Sequence, residues 1–126
     1  MRESAAASHI RLFAAQNNHY LMRNNVGVLT DINGRPVRYG LCNESKQQNQ
    51  KLKSSDLIGI TPTVVTQDMV GKVVGIFTAV ETKRTDWRFT GTDREIAQQN
   101  FINLVLQHGG KAGFANDVDS YRRIVL

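Results

Sequence analysis

The chain has 126 residues, of which 40% are apolar and 21% are charged, a balance typical of one globular domain with a single core. No run approaches the roughly 20 apolar residues that a membrane-spanning helix needs, and the N-terminus lacks the apolar part of a secretory signal, so we expect a cytoplasmic protein without a membrane partner. The single cysteine, Cys42, excludes an intramolecular disulfide and a multi-cysteine zinc site.

The net charge of +5 is unevenly distributed along the chain. Residues 1–55 contain eight basic and three acidic residues, whereas residues 56–126 contain eight of each. Such an asymmetry is typical of a protein that binds a polyanion, and nucleic acid is the natural candidate. The alternative is a solvated basic surface that only aids solubility.

The first half of the chain predicts a helix, a hairpin and a loop. An alanine-rich stretch over 2–17 predicts a helix with Ile10, Leu12 and Phe13 on a broad apolar face that Ala6 and Ala14 also fill. The segment 20–40 predicts β-structure, because its Asn-Gly pair at 33–34 is a strong hairpin signal between two apolar runs. Residues 40–54 are polar, glutamine-rich and without apolar periodicity, so they predict a loop.

The second half predicts alternating strands and helices. A short apolar strand opens at Asp56, and the longest apolar run, 73–83, predicts the central strand. A helix follows over 94–108, with Thr92 or Asp93 as its cap and Glu95 near its start. Its predicted buried face consists of Ile96, Phe101, Leu104 and Val105. The remaining predictions are a strand over 111–115 and a short helix or turn over 117–125. This order predicts one α/β domain over 1–126, with a central mixed β-sheet flanked by helices.

The end of the predicted central strand has an unusual set of side chains. Strand residues alternate between the two faces of a sheet, so Glu81 and Lys83 point to one face. If the strand that opens at Asp56 is a neighbour, the two carboxylates converge, and hard oxygen ligands of this kind suit Mg²⁺ or Mn²⁺. Lys83 beside such an ion completes a set of groups sufficient for phosphodiester hydrolysis. The alternative is an exposed Glu–Lys pair and an aspartate that serves only as a turn residue.

Several ordered motifs resemble the VRR-NUC domain, the virus-type replication–repair nuclease branch of the PD-(D/E)xK superfamily. The similarity covers most of the chain, and one departure is Ser55, where the family usually has a proline before the aspartate. The matching elements, in chain order, are Glu3, Asp56-Leu57-Ile58-Gly59, Glu81-Thr82-Lys83, Gln98 with Phe101, Gly109-Gly110 and the segment Ala-Gly-Phe-Ala at 112–115.

This resemblance implies a PD-(D/E)xK restriction-endonuclease-like core and a role for each matched residue. Asp56, Glu81 and the Thr82 carbonyl would bind Mg²⁺ or Mn²⁺, and Lys83 would be the catalytic lysine. Glu3 would reach the metal site either directly or through water. Gln98 would approach the site from the second predicted helix, although the neighbouring Gln99 leaves this register open by one residue.

The resemblance also implies a substrate. Stand-alone members of this family resemble junction-resolving enzymes, so the expected activity is a metal-dependent endonuclease for branched DNA such as Holliday junctions, acting as a homodimer and encoded by a phage or its bacterial host. A flap or single-strand nuclease with the same chemistry and a catalytically silent DNA-binding module are the alternatives. Phosphate contacts are expected from basic residues near the predicted site, and the candidates are Lys51, Lys53, Arg84, Arg35, Arg38 and Lys46.

Overall fold

The computed structural model describes residues 2–126 and shows a mixed α/β protein. None of the helices in this part of the chain combines the length and the apolar character needed to cross a membrane. The helices and strands are α1 (Glu3–Gln16), β1 (Tyr20–Arg23), β2 (Gly27–Thr30), β3 (Pro36–Tyr39), α2 (Lys46–Lys51), β4 (Leu57–Ile60), β5 (Thr78–Thr82), α3 (Asp93–Gln107), β6 (Lys111–Ala115) and α4 (Val118–Val125).

The strands pair two by two, whereas the sequence predicted a single central sheet. β1 pairs with β4, β2 pairs with β3 in antiparallel fashion, and β5 pairs with β6 in parallel fashion. The chain between β4 and β5 contains Pro62, which cannot donate to a ladder, and Gly71, which adopts a left-handed φ of 80°. The α/β class is therefore confirmed, and the described residues form three small ladders in place of one sheet.

The described residues form two compact units, and each is considered separately. The first unit contains the chain up to Asn17 and the segment Leu21–Gly59. The second unit contains Asn18–Tyr20 and the segment Ile60–Leu126. The expectation of one domain over 1–126 stays a prediction.

Helix α1, in the first unit, lies within one residue of its predicted bounds at both ends. Asn17 ends the helix by donating a side-chain hydrogen bond of 2.8 Å to the Phe13 carbonyl. The predicted apolar face is correct only at Ala14, which is the buried residue of this helix, because Ile10, Leu12 and Phe13 are each more than half exposed. Leu12 lies almost opposite Ala14, since two residues turn a helix by about 200°.

The hairpin β2–β3 confirms the prediction made from the Asn-Gly pair. Its loop is organised by the Asp31 carboxylate, whose Oδ1 accepts hydrogen bonds from the backbone N–H of Asn33 at 2.9 Å and of Arg35 at 2.8 Å. Gly34 adopts a left-handed φ of 77°, which costs glycine little. The register places Gly27 opposite Tyr39.

The prediction of a loop over 40–54 is wrong for its central part, which forms helix α2. Ser45 caps this helix, since its hydroxyl accepts a hydrogen bond of 3.0 Å from the Gln48 N–H. The Gln48 side chain accepts in turn from the Glu44 N–H at 2.7 Å. No residue of α2 is buried, and its sequence is entirely polar. It therefore shows none of the apolar periodicity from which helices are predicted. The Ser-x-x-Gln spacing was the available signal.

In the second unit, the parallel pair β5–β6 packs with helix α3, and the predicted cap of α3 is confirmed. The Thr92 hydroxyl accepts a hydrogen bond of 3.2 Å from the Glu95 N–H, and the Glu95 side chain accepts one of 3.0 Å from the Thr92 N–H. This reciprocal arrangement is a capping box.

The predicted apolar face of α3 is partly wrong. The buried residues of α3 are Glu95, Ile102 and Val105, whereas Ile96 and Phe101 are exposed. The buried positions recur at helical spacing, but the first of them is a carboxylate, so a search for apolar residues places the face incorrectly.

Strand β5 is also shorter than the predicted run 73–83. Val73, Val74 and Ile76 precede the strand and are exposed, with Val73 fully so. The apolar residues of this run predicted a longer strand, but β6 provides hydrogen-bonding partners only for Thr78–Thr82.

Gly110 closes the turn between α3 and β6, and we predict that this turn does not tolerate a side chain. A Cβ at Gly110 would lie 2.7 Å from Val105 Cγ1 and 2.8 Å from the Phe77 carbonyl oxygen. Gly110→Ala should therefore lower the free energy of unfolding by about 1–3 kcal/mol. Urea denaturation measures this change.

Gly75→Ala is the matched control, because nothing lies within 4 Å of a Cβ at that position. Its free energy of unfolding should stay close to that of the wild type. Equal losses in the two variants would contradict the packing argument.

Candidate active site

Three polar side chains of the second unit form one connected group on the α3 side of the β5–β6 pair. The Lys83 ammonium donates a hydrogen bond of 2.7 Å to Gln98 Oε1, and Gln98 Nε2 donates one of 2.8 Å to Glu81 Oε1. Lys83 Nζ also lies 4.0 Å from Glu81 Oε1. The structure thus brings together three of the residues singled out in the sequence, and we call them the Glu81–Gln98–Lys83 group.

The register of α3, which the sequence left open, is settled by these contacts. Gln98 bridges Glu81 and Lys83, whereas the Gln99 amide donates to Asn103 Oδ1 at 3.0 Å along the exposed helix surface. Gln98 is therefore the glutamine that faces the group.

Aromatic rings enclose the Lys83 ammonium. Nζ lies 5.5 Å from the centroid of Trp87 and 5.6 Å from that of Phe114, which is the distance range of cation–π attraction. The two rings contact each other with centroids 4.8 Å apart, and Phe89 packs edge-on against Trp87 at 6.4 Å. The Lys83 side chain is only 15% exposed, so its ammonium is largely shielded from solvent.

Sequence reasoning treated Glu95 only as a capping residue, yet it fixes the position of the aromatic rings. Glu95 Oε2 accepts a hydrogen bond of 2.8 Å from the indole N–H of Trp87. Glu95 Oε1 accepts from the backbone N–H and the hydroxyl of both Thr90 and Thr92, at 3.0–3.2 Å. The chain that leaves β5 is therefore tied to the first turn of α3, and Trp87 is held against Lys83. In the sequence, a glutamate at the third position of a helix gives no sign of this second role.

These hydrogen bonds have an electrostatic consequence. The backbone N–H of Thr92 lowers the pKa of Glu95, burial acts against it, and the bonds from Thr90 and the Thr92 hydroxyl lower it further, so that the pKa falls from 4.5 to about 2. Glu95 is thus a carboxylate at every pH at which the protein is expected to work.

The Glu81 carboxylate is suitably placed to bind a cation. Gln98 occupies only Oε1, and Oε2 accepts no hydrogen bond from the described residues. The side chain is 40% exposed and borders a narrow cleft of about 160 Å³ with Gln98 and Phe101. A fixed carboxylate with one open oxygen is what a hard divalent cation requires from a protein that leaves its other positions to water and phosphate.

Two further predicted site residues lie in the first unit. Glu3, at the start of α1, and Asp56, directly before β4, line one cleft of about 430 Å³ together with Arg11 and Arg23. The Asp56 backbone is fixed, because its carbonyl accepts a hydrogen bond of 2.8 Å from the Asn24 N–H. Glu3 and Asp56 therefore border the same cleft, whereas β4, which Asp56 precedes, pairs with β1 and not with the strand of Glu81, the neighbour considered from the sequence.

No set of three His, Cys, Asp or Glu side chains in residues 2–126 is arranged to hold a metal ion. The fit to Mg²⁺ or Mn²⁺ consequently depends on few protein ligands. Glu81 fits within the second unit, with the Thr82 carbonyl assigned by resemblance, and Asp56 and Glu3 fit within the first. Mg²⁺ is commonly bound in this way, through one or two carboxylates with the substrate phosphate.

The predicted DNA-contacting residues differ in whether they already have hydrogen-bond or ion-pair partners. Lys46 and Lys51 lie on the exposed helix α2, and Arg35 lies on the exposed hairpin loop. The remaining three already have partners. Lys53 donates to the carbonyl and Oδ1 of Asn49. Arg38 donates to Asn43 Oδ1 at 2.6 Å, and Arg84 pairs with Asp86 at 3.6 Å.

The chain matches no protein-family model, no curated protein and no solved structure. The resemblance to the VRR-NUC domain therefore rests on the motifs and their order.

The stability of the protein should depend on pH through Glu95. Because the pKa of Glu95 is lowered on folding, its contribution is fully present above pH 4.5 and is lost as the pH falls towards about 2. Urea midpoints measured between pH 6 and pH 3 should fall more steeply for the wild type than for Glu95→Gln. Some dependence should persist in the variant, since hydrogen bonds from Ser120 also lower the pKa of Asp117.

Trp87, the chain's only tryptophan, provides an internal check in the same samples. Its emission should shift in Glu95→Gln at pH 6, because the amide binds the indole N–H less strongly than the carboxylate does. Parallel pH profiles for the two proteins would contradict the proposed role of Glu95.

Proposed function

We propose that this protein is an endonuclease that hydrolyses DNA phosphodiester bonds with Mg²⁺ or Mn²⁺. The observation that carries the proposal is the Glu81–Gln98–Lys83 group, in which one glutamine fixes a carboxylate and an ammonium side by side at the end of a strand. The ordered motifs of the sequence support it, and the finer fold assignment, a PD-(D/E)xK core, belongs to the same proposal.

Glu81 would supply the cation ligand. Its Oε1 is held by Gln98, which leaves Oε2 without a hydrogen-bond donor among the described residues and available to a ligand. When bound, the metal ion would polarise the scissile phosphate and lower the pKa of a bound water. The resemblance also names the Thr82 carbonyl, Asp56 and Glu3 as metal ligands of the family motif.

Lys83 would act on the reacting groups through hydrogen bonds. One N–H is donated to Gln98, and an ammonium has two further donors for an attacking water or a phosphate oxygen. Trp87 and Phe114 limit its freedom and its contact with solvent, so the charge is preorganised for the negative charge that develops in the transition state. Electrostatic stabilisation of this kind does not require Lys83 to lose its proton.

Affinity for DNA would come from the basic first half of the chain. Lys46, Lys51 and Arg35 are exposed and without an ion-pair partner among the described residues, so they can neutralise phosphates directly. Binding of this type weakens steeply as salt rises. Branched DNA such as a Holliday junction, a homodimer and a phage origin follow from the resemblance alone.

The alternative of a catalytically silent DNA-binding module has one observation in its favour. Glu81, Gln98 and Lys83 satisfy one another, so the group is also an acceptable structural network without a ligand. This alternative predicts DNA binding without cleavage. A flap or single-strand nuclease would share the chemistry and differ in substrate.

Cleavage of labelled four-way junction, flap and linear duplex DNA tests the proposal. We expect cuts in the presence of Mg²⁺ or Mn²⁺ and none in EDTA. Lys83→Ala should lower the cleavage rate by about 10²–10³-fold, the usual cost of removing one preorganised donor, while still binding the DNA. Gln98→Ala should also slow cleavage, because Glu81 and Lys83 lose their common partner.

Gln99→Ala is the matched control, since it removes the same side chain from the adjacent, outward-facing position. It should cleave at the wild-type rate. Binding of every substrate with no cleavage in either metal would favour the silent module, and cuts confined to flaps would retain the chemistry but change the substrate.

A further inference from the structure

The first unit contains a second, larger cleft, of about 710 Å³, next to the hairpin β2–β3. This volume falls within the range of sites that hold small organic ligands. Asp56 borders it, so the cleft adjoins the strand-leading carboxylate assigned to the proposed site. The lining residues used below are Asn25, Gly27, Tyr39, Asn49, Lys53 and Asp56.

Two asparagines fix the walls of this cleft. Asn43 is 3% exposed, and its amide donates to the carbonyls of Gly27 and Tyr39 at 2.8 and 2.9 Å. Asn24 donates to Ser54 Oγ at 2.7 Å and to the Ser55 carbonyl at 2.9 Å. Asn43 thus bridges the two strands of the hairpin, and Asn24 joins the β1–β2 connection to the segment before β4, so hydrogen bonds fix both parts of the cleft wall.

One wall presents an aromatic ring in a fixed position. Tyr39 lies opposite Gly27 in the hairpin, and a Cβ at Gly27 would lie only 2.3 Å from the Tyr39 hydroxyl and 2.7 Å from its Cζ. The ring therefore covers the glycine, and only a residue without a side chain permits this approach. Tyr39 is nevertheless 41% exposed, so part of the ring is open to the cleft.

The rim supplies charge and hydrogen-bonding groups. The Lys53 ammonium is held by the Asn49 carbonyl and Oδ1, at 3.1 and 2.8 Å, and retains one further donor. The Asn25 side chain is exposed and makes no hydrogen bond with the described residues. An open aromatic ring, a free amide and an ammonium match a flat base with a polar edge that is attached to a phosphate.

We propose that this cleft binds one unpaired nucleotide of the DNA substrate, with its base stacked on Tyr39 and its phosphate beside Lys53. The inference rests on the proposed function and makes it more specific: the substrate carries an unpaired nucleotide. Stacking on an aromatic side chain tolerates every base, so the cleft selects for an unpaired nucleotide and leaves the sequence unselected.

The test measures binding of a fluorescein-labelled branched DNA in EDTA, where no cleavage is expected. Single abasic sites are moved through the unpaired positions at the branch. For the wild type, one abasic position should weaken binding by about 10-fold, which is the size of one stacking contact. Tyr39→Leu should bind the intact DNA about 10-fold more weakly and lose the sensitivity to that abasic site, whereas Tyr39→Phe should retain both.

Tyr121→Leu is the matched control, because this tyrosine has similar exposure, 44%, and lies on α4 of the other unit. It should bind like the wild type. Gly27→Ala, which displaces the ring and keeps its chemistry, should behave like Tyr39→Leu. Wild-type abasic scans without a sensitive position, or Tyr39→Leu with unchanged affinity, would overturn the inference and leave the nuclease proposal standing.

Two further outcomes would contradict the inference in different ways. Release of the DNA by deoxythymidine monophosphate at or below the dissociation constant of the strand would overturn the assignment to a DNA strand in favour of a free nucleotide. Absence of any DNA binding by the wild type would remove the proposed function and the inference together.

Discussion

The hydrogen bonds to the Glu95 carboxylate are the interaction on which the second unit depends. A buried carboxylate is costly unless donors surround it, and here Thr90, Thr92 and Trp87 supply them. The same bonds begin α3 in the correct register and hold the chain that leaves β5. Gln98 follows Glu95 by three residues, so the turn that is fixed at Glu95 also directs Gln98 towards Glu81 and Lys83. A capping residue therefore determines the geometry of the candidate site.

The polar network of the second unit has a counterpart in the first. Asn43 bridges the two strands of the hairpin, and Asn24 joins the β1–β2 connection to the segment before β4. Small ladders of four or five residues leave much of the main chain unpaired, and buried side-chain amides satisfy part of it. In both units, hydrogen bonds from polar side chains thus satisfy main-chain groups that a continuous sheet would pair in a larger protein. In each, the fixed residues border the groups to which we assign chemistry.

Much of the local structure could be predicted from the sequence, because its signals are short-range. The Asn-Gly pair predicted the hairpin, Thr92 predicted the start of α3, and strand alternation placed Glu81 and Lys83 on one face. Which strands pair with each other could not be predicted. An apolar run such as 73–77 indicates strand-like residues but does not indicate the strand that pairs with them. Helix α2 was missed because it has no buried face.

The site was predictable in its residue types and less so in its supports. Glu81, Lys83 and Gln98 follow a motif, but Glu95 and Trp87 act through contacts between segments that no spacing reveals. Tyr39 and Gly27 likewise acquire their relation only through the hairpin register. The supporting residues are the ones that turn a list of chemical groups into a fixed geometry.

The central claim is that Glu81 binds a divalent cation beside Lys83, and the sole tryptophan allows this to be measured directly. The Lys83 ammonium lies between Trp87 and Glu81, since it contacts both the indole ring and the carboxylate. Titration of Mn²⁺, a paramagnetic quencher, should give a saturable decrease of Trp87 emission in the wild type and in Gln99→Ala. Glu81→Gln should need at least about 10-fold more Mn²⁺, because the amide replaces a charged oxygen ligand. Identical titrations of the wild type and Glu81→Gln would contradict the account.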